Sequence, residues 1–298
     1  MSEVREQKRR IEDLRSAKYI TGTLRDISAI EIKRVRDEFD RNEHFASELR
    51  GLYQLVWSLG ELAGDKSTQA KSSQVLYVAY TTNRHFYGAV NHNVMHKFIN
   101  DTNTSDRCLI IGDTGKEIWL SGARKRREVS FMSFNEDSPN TQETTDFIHR
   151  TEGYSHVLVY FPGFVSVFVQ EPQILDVTFR PNKGEQDRDA QRAPDSTPLP
   201  AVVQNGASPL EFLLEPDIAE MISFFNTQVR YVLFERLLLE TQLSRVAARL
   251  VKMDSADQNA DGLIRNEEKE LHRAHASFSS RRMIETIVGY LQWHTKNI

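Results

Sequence analysis

All nine prolines of this 298-residue chain lie between Pro139 and Pro216. Proline removes a backbone donor and collides with the preceding helical turn, at a cost of roughly 3 kcal/mol in a helix interior. The stretches before Pro139 and after Pro216 escape that penalty and are free to run as long helices, while the middle reads as strands and turns. That distribution fits a shaft built from the two termini of one chain, with a globular knob strung between them.

The apolar spacing supports the helices. From Val4 to about Leu62, the residues Ile11, Leu14, Leu24, Ile32, Val35, Phe39, Leu49, Leu52, Val56 and Leu59 recur mostly every three or four positions, apart from gaps of eight and ten. This is a narrow stripe close to a coiled-coil seam, interrupted on or beside it by Lys18, Thr21 and Ser28. About 55 helical residues would span roughly 80 Å, longer than a globular domain of this size can bury, so part of the helix needs a partner. From Asp217 onward Ile218, Met221, Phe225, Val229, Val232, Leu239, Leu243, Val246, Leu250 and Met253 restore the stripe, and Ile284, Ile287, Tyr290 and Leu291 resume it. Pro216 and the acidic Glu215 and Asp217 suit a helix start, and Gly262 is a point where the helix could loosen. Some 80 residues of helix would reach roughly 120 Å, so one end should run on beyond the pair.

Between them the period changes. Val75–Tyr80, Cys108–Ile111, Val157–Tyr160, Val165–Val169 and Leu175–Phe179 read as strands, and Glu117–Leu120 as a further sheet segment; Val90–Ile99 and Thr141–Thr151 read as helices. Alternating strands and helices predict an α/β layer domain. The predicted division is therefore an N-terminal coiled-coil helix at 1–65, a globular α/β domain at 72–213 and a C-terminal coiled-coil helix at 214–298. Residues 64–73 read as a linker, and 181–200, charged and proline-bearing, as a mobile loop.

Chemistry-bearing patterns are sparse. The formal net charge of -4 gives no reason to expect a nucleic-acid binder. The single Cys108 lies in an apolar run and reads as a buried thiol, which suits a reducing compartment. No apolar run reaches membrane-spanning length, and the first residues lack the apolar core of a secretory signal. Neither G-x-x-x-x-G-K-[ST] nor G-x-G-x-x-G occurs, so neither nucleotide hydrolysis nor dinucleotide chemistry by this chain alone is expected; Gly112–Lys116 reads as a turn. His92 and His96 share a helix face without further zinc ligands. Arg124–Arg127 reads as a solvated loop, or as a patch facing acidic groups of a neighbour. The sharpest motif is Asp257–Glu268, which fits the calcium-loop pattern D-x-N-x-D-G-x5-E. Asp257, Asn259, Asp261 and Glu268 could supply oxygens with Gly262 at the turn, and the chain would then be a calcium-responsive helical adaptor. Against this stand Arg265 at a coordinating position, Lys269 beside Glu268, and a helical setting that would spread these side chains around the axis.

Several segments carry a family resemblance over nearly the whole chain. Arg10–Lys18 with Ile20-Thr21, the basic cluster Glu31–Arg34, Gly88–Asn91, Leu214–Pro216 and above all Ala247–Met253 with Asp257–Ile264 resemble, in that order, the gamma subunit of F-type ATP synthase, the central rotor stalk. The chain departs from that pattern at Asn83–Gly88, where His85 replaces a glycine, at the polar segment Asn266–Glu270, and at His272–Ala276, where His275 and Ala276 replace an Arg-Gln pair that contacts a catalytic subunit.

The resemblance implies a long antiparallel two-helix coiled coil of the termini plus a central Rossmann-like α/β domain. It implies a non-catalytic subunit without cofactor or metal, coupling ion-driven rotation to ATP synthesis. The implied partners are the alpha and beta subunits, an epsilon-type subunit and the c-ring, in a complex peripheral to the cytoplasmic face of a bacterial-type plasma membrane. The rotor contacts it implies are Leu24, Lys33, Arg34, Arg245, Arg249, Met253 and His275, of which Leu24 stands for the family's methionine and Arg245 for an acidic residue.

Overall fold

The computed structural model describes residues 2–62, 74–84, 87–103, 105–122, 129–135, 139–151, 153–178 and 217–296. The linker expected at 64–73, the loop at 181–200, the basic run Arg124–Arg127, His85 and the Leu214–Pro216 segment lie outside them. The element order is α1 (Ser2–Leu62), β1 (Val75–Tyr80), α2 (Val90–Asp101), β2 (Arg107–Ile111), α3 (Asp113–Ser121), β3 (Val129–Met132), α4 (Thr141–Thr151), β4 (His156–Phe164), β5 (Gln170–Asp176) and α5 (Ile218–Lys296). The terminal helices are continuous, and α5 passes through Gly262 without a break.

The chain divides into two compact units, Met1–Ile30 with Arg249–Ile298, and Glu31–Ala248. This division falls inside both terminal helices rather than at their ends. The reason is packing: the first half of α5 belongs to the core of the sheet.

In the second unit the five strands run in the order β3-β2-β1-β4-β5, parallel except for the antiparallel β4–β5 hairpin. Alternation along β1 sends Leu76, Val78 and Tyr80 to one face with Phe147 and Ile148 of α4 and Phe234 and Leu237 of α5. Ala79 faces the other way, with Val94, Met95 and Phe98 of α2 and Trp119 of α3. Covered on both faces, β1 and the Cys108–Ile111 part of β2 read as unbroken apolar runs, as parallel strands do. Phe234 stacks on Phe147 at 4.3 Å between centroids and meets Tyr80 edge-on at 6.4 Å. Cys108 is buried in β2, and burial pushes the phenol of neighbouring Tyr160 up to about 12.

Within the same unit α1 and α5 pair antiparallel around Tyr53, Val56, Trp57, Ile222, Val229 and Leu233. Tyr53, fully buried, donates its hydroxyl to Asn226 Oδ1 at 2.6 Å, and Glu43 takes ion pairs from Arg50 and Arg236. The expected stripe errs here by one residue: Leu52 is 55% exposed and Tyr53 takes the inward position.

Four local expectations are corrected. Glu117–Leu120 is helical, part of α3, because Trp119 packs on the sheet at helical spacing from Gly115. The predicted turn at Gly112–Lys116 is confined to Gly112, at φ 98°, and helix begins at Asp113. Val165–Val169 is the turn of the β4–β5 hairpin, closed by Ser166 N–H to Val169 O at 3.0 Å, and the return strand starts at Gln170 and ends at Asp176 rather than running from Leu175 to Phe179. Pro162 and Pro172 face each other across that ladder, a pairing open only to a register position where neither must donate. β3, a half-exposed edge strand of four residues, carries too short an apolar pattern to have been anticipated.

Candidate functional site

In the first unit, α1 and α5 run antiparallel, joined by contacts that step along both helices. Arg249 Nε donates to Ser28 Oγ at 2.8 Å, and the Ser28 hydroxyl, fully buried, donates to Leu24 O at 2.7 Å. Arg25 lies 3.2 Å from Asp257 and 3.8 Å from Asp254. Lys18 Nζ pairs with Asp261 at 2.6 Å, and Arg15 with Glu268 at 2.8 Å. As the α1 residue moves from 28 to 15, its α5 partner moves from 249 to 268. The Lys18 hydrogen bond holds the Asp261 carboxyl below its ordinary value, and Asp26, with help from Asp257 and Asp254, raises the Arg25 guanidinium.

These contacts overturn the calcium-loop reading. Asp257–Glu268 is unbroken helix, and Asp257, Asp261 and Glu268 each turn to a cation on α1. Asn259 is exposed. A helix of 3.6 residues per turn does not gather oxygens at these spacings into one shell. The signal that could have exposed this was the basic set Arg15, Lys18 and Arg25 beside the α1 seam, matched in reverse order by the acids of α5.

The anticipated rotor contacts scatter. Leu24, Arg249 and Met253 are half-buried in the first unit, and Arg249 is tied to Ser28, which is tied in turn to Leu24. His275 is exposed there, as is every residue of α5 from 275 to 293. Lys33 and Arg34 are exposed in the second unit, Arg34 within 3.7 Å of Glu38. Arg245 is corrected: it is 3% exposed, its guanidinium 4.8 Å over the Tyr80 ring, so it packs α5 onto the sheet instead of presenting a charge to a partner.

The carboxyl ends of β1 and β2 are where open parallel sheets bind ligands, usually at the first amides of the next helix. Here the residues just past β1 consume those donors. The amides of Asp113, Thr114 and Gly115 reach Asn83 Oδ1 at 3.2 Å, Thr82 O at 3.0 Å and Thr81 Oγ1 at 3.0 Å. A Cβ on Gly112 or Gly115 would sit 2.6 Å or less from atoms of Thr81, so both glycines serve the close approach of the start of α3 to the chain leaving the neighbouring strand β1. Asn91, from a segment that carries the family resemblance, donates to Thr82 Oγ1 at 2.6 Å and completes the same network. His92 and His96 are both exposed on α2. Among the described residues, no group of three or more His, Cys, Asp or Glu side chains is placed to hold a metal ion.

Comparison with known proteins agrees with this architecture. A family model described as ATP synthase matches residues 3–277. The ATP synthase gamma chain of Cytophaga hutchinsonii is 23% identical over 305 aligned positions, covering 97% of this chain and 98% of the relative. That of an Exiguobacterium species is 24% identical, with the same coverage. A chain in the Euglena gracilis mitochondrial ATP synthase structure of OSCP, F1 and c-ring superposes with a TM-score of 0.68 at 15% identity, over 99% of this chain and 96% of that one. A match across 3–277 spans both terminal helices and the sheet, and on that ground the chain belongs to the ATP synthase family, among its gamma chains.

Proposed function

We propose that this chain is the central stalk of an F-type rotary ATP synthase, transmitting rotation between an ion-driven membrane ring and the catalytic subunits. The observation that carries the reading is the antiparallel pairing of the two chain ends, from Ser28–Arg249 to Arg15–Glu268, in a chain whose relatives are gamma chains throughout their length. A stalk needs stiffness and an asymmetric surface rather than an active site. Each catalytic site then meets a different face of the stalk in turn, and its open and closed states are biased by that difference in contact.

The chain itself does no chemistry in this reading. The helix start at which a doubly wound sheet would cradle a phosphate is capped by Thr81, Thr82 and Asn83, leaving those amides engaged. The partners are alpha and beta subunits around the helix pair, and an epsilon-type subunit and c-ring at the sheet-bearing unit. Leu24, Arg249, Met253, Lys33, Arg34 and His275 are the contacts assigned to torque and coupling. No described helix is long and apolar enough to cross a membrane, and attachment at the cytoplasmic face comes through the complex.

Co-expression with alpha and beta subunits tests this. The chain should co-purify with them and confer ATPase activity whose coupling to ion transport falls in Arg249→Ala. Failure to assemble refutes the stalk; assembly with unchanged coupling in Arg249→Ala refutes the contact assignment.

A further inference from the structure

The helix pair of the first unit is thinly packed. Its buried positions among the described residues are Ile11, Ser28, Ala260 and Ile264, so few apolar side chains hold α1 against α5 there. The polar contacts are, by contrast, numerous and ordered. In each of the ion pairs Arg15–Glu268, Lys18–Asp261, Arg25–Asp257 and Arg25–Asp254, the cation is on α1 and the anion on α5. Asp254, Asp261 and Glu268 follow one another at seven-residue intervals, as do Lys18 and Arg25. Seven residues return a helix to nearly the same face, so both rows lie along the flank of the seam, the place where charges choose partner and orientation in coiled coils.

We propose that this one-signed ladder is the clasp of the helix pair: it selects which face of α5 meets α1 and holds the two together where the apolar seam is thin. A basic row against an acidic row attracts along its whole length, whereas α1 facing any other side of α5 forfeits the pairs. Arg25 is also held by Asp26 of its own helix at 3.1 Å, and across the pair it is shared between Asp257 and Asp254, carboxylates one turn apart, so it can trade one for the other as the helices shift and the clasp yields without opening. All these side chains are at least partly exposed, so the clasp is screened by salt. This inference concerns the chain alone and stands whether or not the stalk reading holds.

Amide hydrogen exchange on the full chain tests it, comparing residues 11–28 and 254–268 with strands β1 and β2 as internal reference. Exposed pairs of this kind account for up to about fivefold each in protection. Raising salt from about 20 mM to 0.5 M shortens the screening length to a few ångströms. That change should cut protection in the helix pair about three- to thirtyfold and leave the strands within twofold. Lys18→Asp should lower protection at low salt, and Lys18→Asp combined with Asp261→Lys should restore it to within about twofold of the parent. Protection that ignores salt, or a swapped pair that recovers nothing while β1 and β2 stay protected, overturns the clasp.

Discussion

Removing the side chain of Phe234 should unfasten α5 from the sheet more than any comparable change on that helix. Phe234 is fully buried, stacked on Phe147 and edge-on to Tyr80. A buried phenylalanine takes on the order of 150–250 Å² from water, which at about 25 cal/mol per Å² is about 4–6 kcal/mol as an upper bound. Aromatic-to-alanine changes in cores cost about 3–5 kcal/mol. A loss of about 4 kcal/mol, divided by a urea slope of about 2 kcal/mol per M, lowers the unfolding midpoint by about 2 M. Tryptophan emission reads this directly. Trp57 and Trp119 are buried in the second unit and shift to the red on exposure, while Trp293, 63% exposed, contributes a steady background. Phe224→Ala is the control: on the same helix but 59% exposed, it should move the midpoint by no more than about 0.3 M. If Phe234→Ala moved the midpoint no more than Phe224→Ala, the assignment of the first half of α5 to the sheet core would be wrong.

Three further outcomes follow from the geometry. Gly112→Ala places a Cβ 2.6 Å from the Thr81 carbonyl oxygen at a φ of 98° and should destabilise the second unit by about 2–3 kcal/mol, seen as a fall of about 1 M in the same urea midpoint. Tyr53→Phe deletes the hydrogen bond to Asn226 while keeping the ring, and should cost about 1 kcal/mol by the same assay. The third concerns pH. Asp261 faces Lys18 from α1 and Arg265 on its own helix, and its carboxyl is held below the ordinary value of 3.8, first by the Lys18 hydrogen bond. A lowered carboxyl supports the folded state above its unfolded value and loses that support as pH falls through the folded one. Exchange protection of the helix pair should therefore start to drop below about pH 4, and Asp261→Asn should remove this group's share of the drop.

How much of this was legible in the chain depended on whether the signal was local. Proline placement and the apolar stripe located α1 and α5, and β1 and β2 announced themselves because burial on both faces makes Val75–Tyr80 and Cys108–Ile111 compact apolar runs. Glu117–Leu120 misled because three apolar residues in a row look alike in a strand and in one helical turn; the deciding fact is that Trp119, one turn on from buried Gly115, packs on the sheet. Val165–Val169 alternates like a strand, yet a strand needs a partner, and here the chain turns to supply one in Gln170–Asp176. Arg245 was placed at a partner surface by counting along a motif, whereas the ring of Tyr80, far away in sequence, draws it inside.

The site was the hardest part to read, for a related reason. A calcium-loop pattern tests only which oxygens stand at which intervals along one segment. Asp257, Asp261 and Glu268 satisfy those intervals, but helix geometry fans them out, and the charges that answer them come from Arg25, Lys18 and Arg15, more than two hundred residues earlier. The same carboxylates at the same spacing bind a cation in one backbone and clasp a helix in another. What separates the two is the basic row on α1, visible only when the two ends of the chain are laid against each other in opposite directions. A chain whose termini pair with each other has to be read from both ends at once, since acids on one helix acquire their role from the sign of the helix they meet.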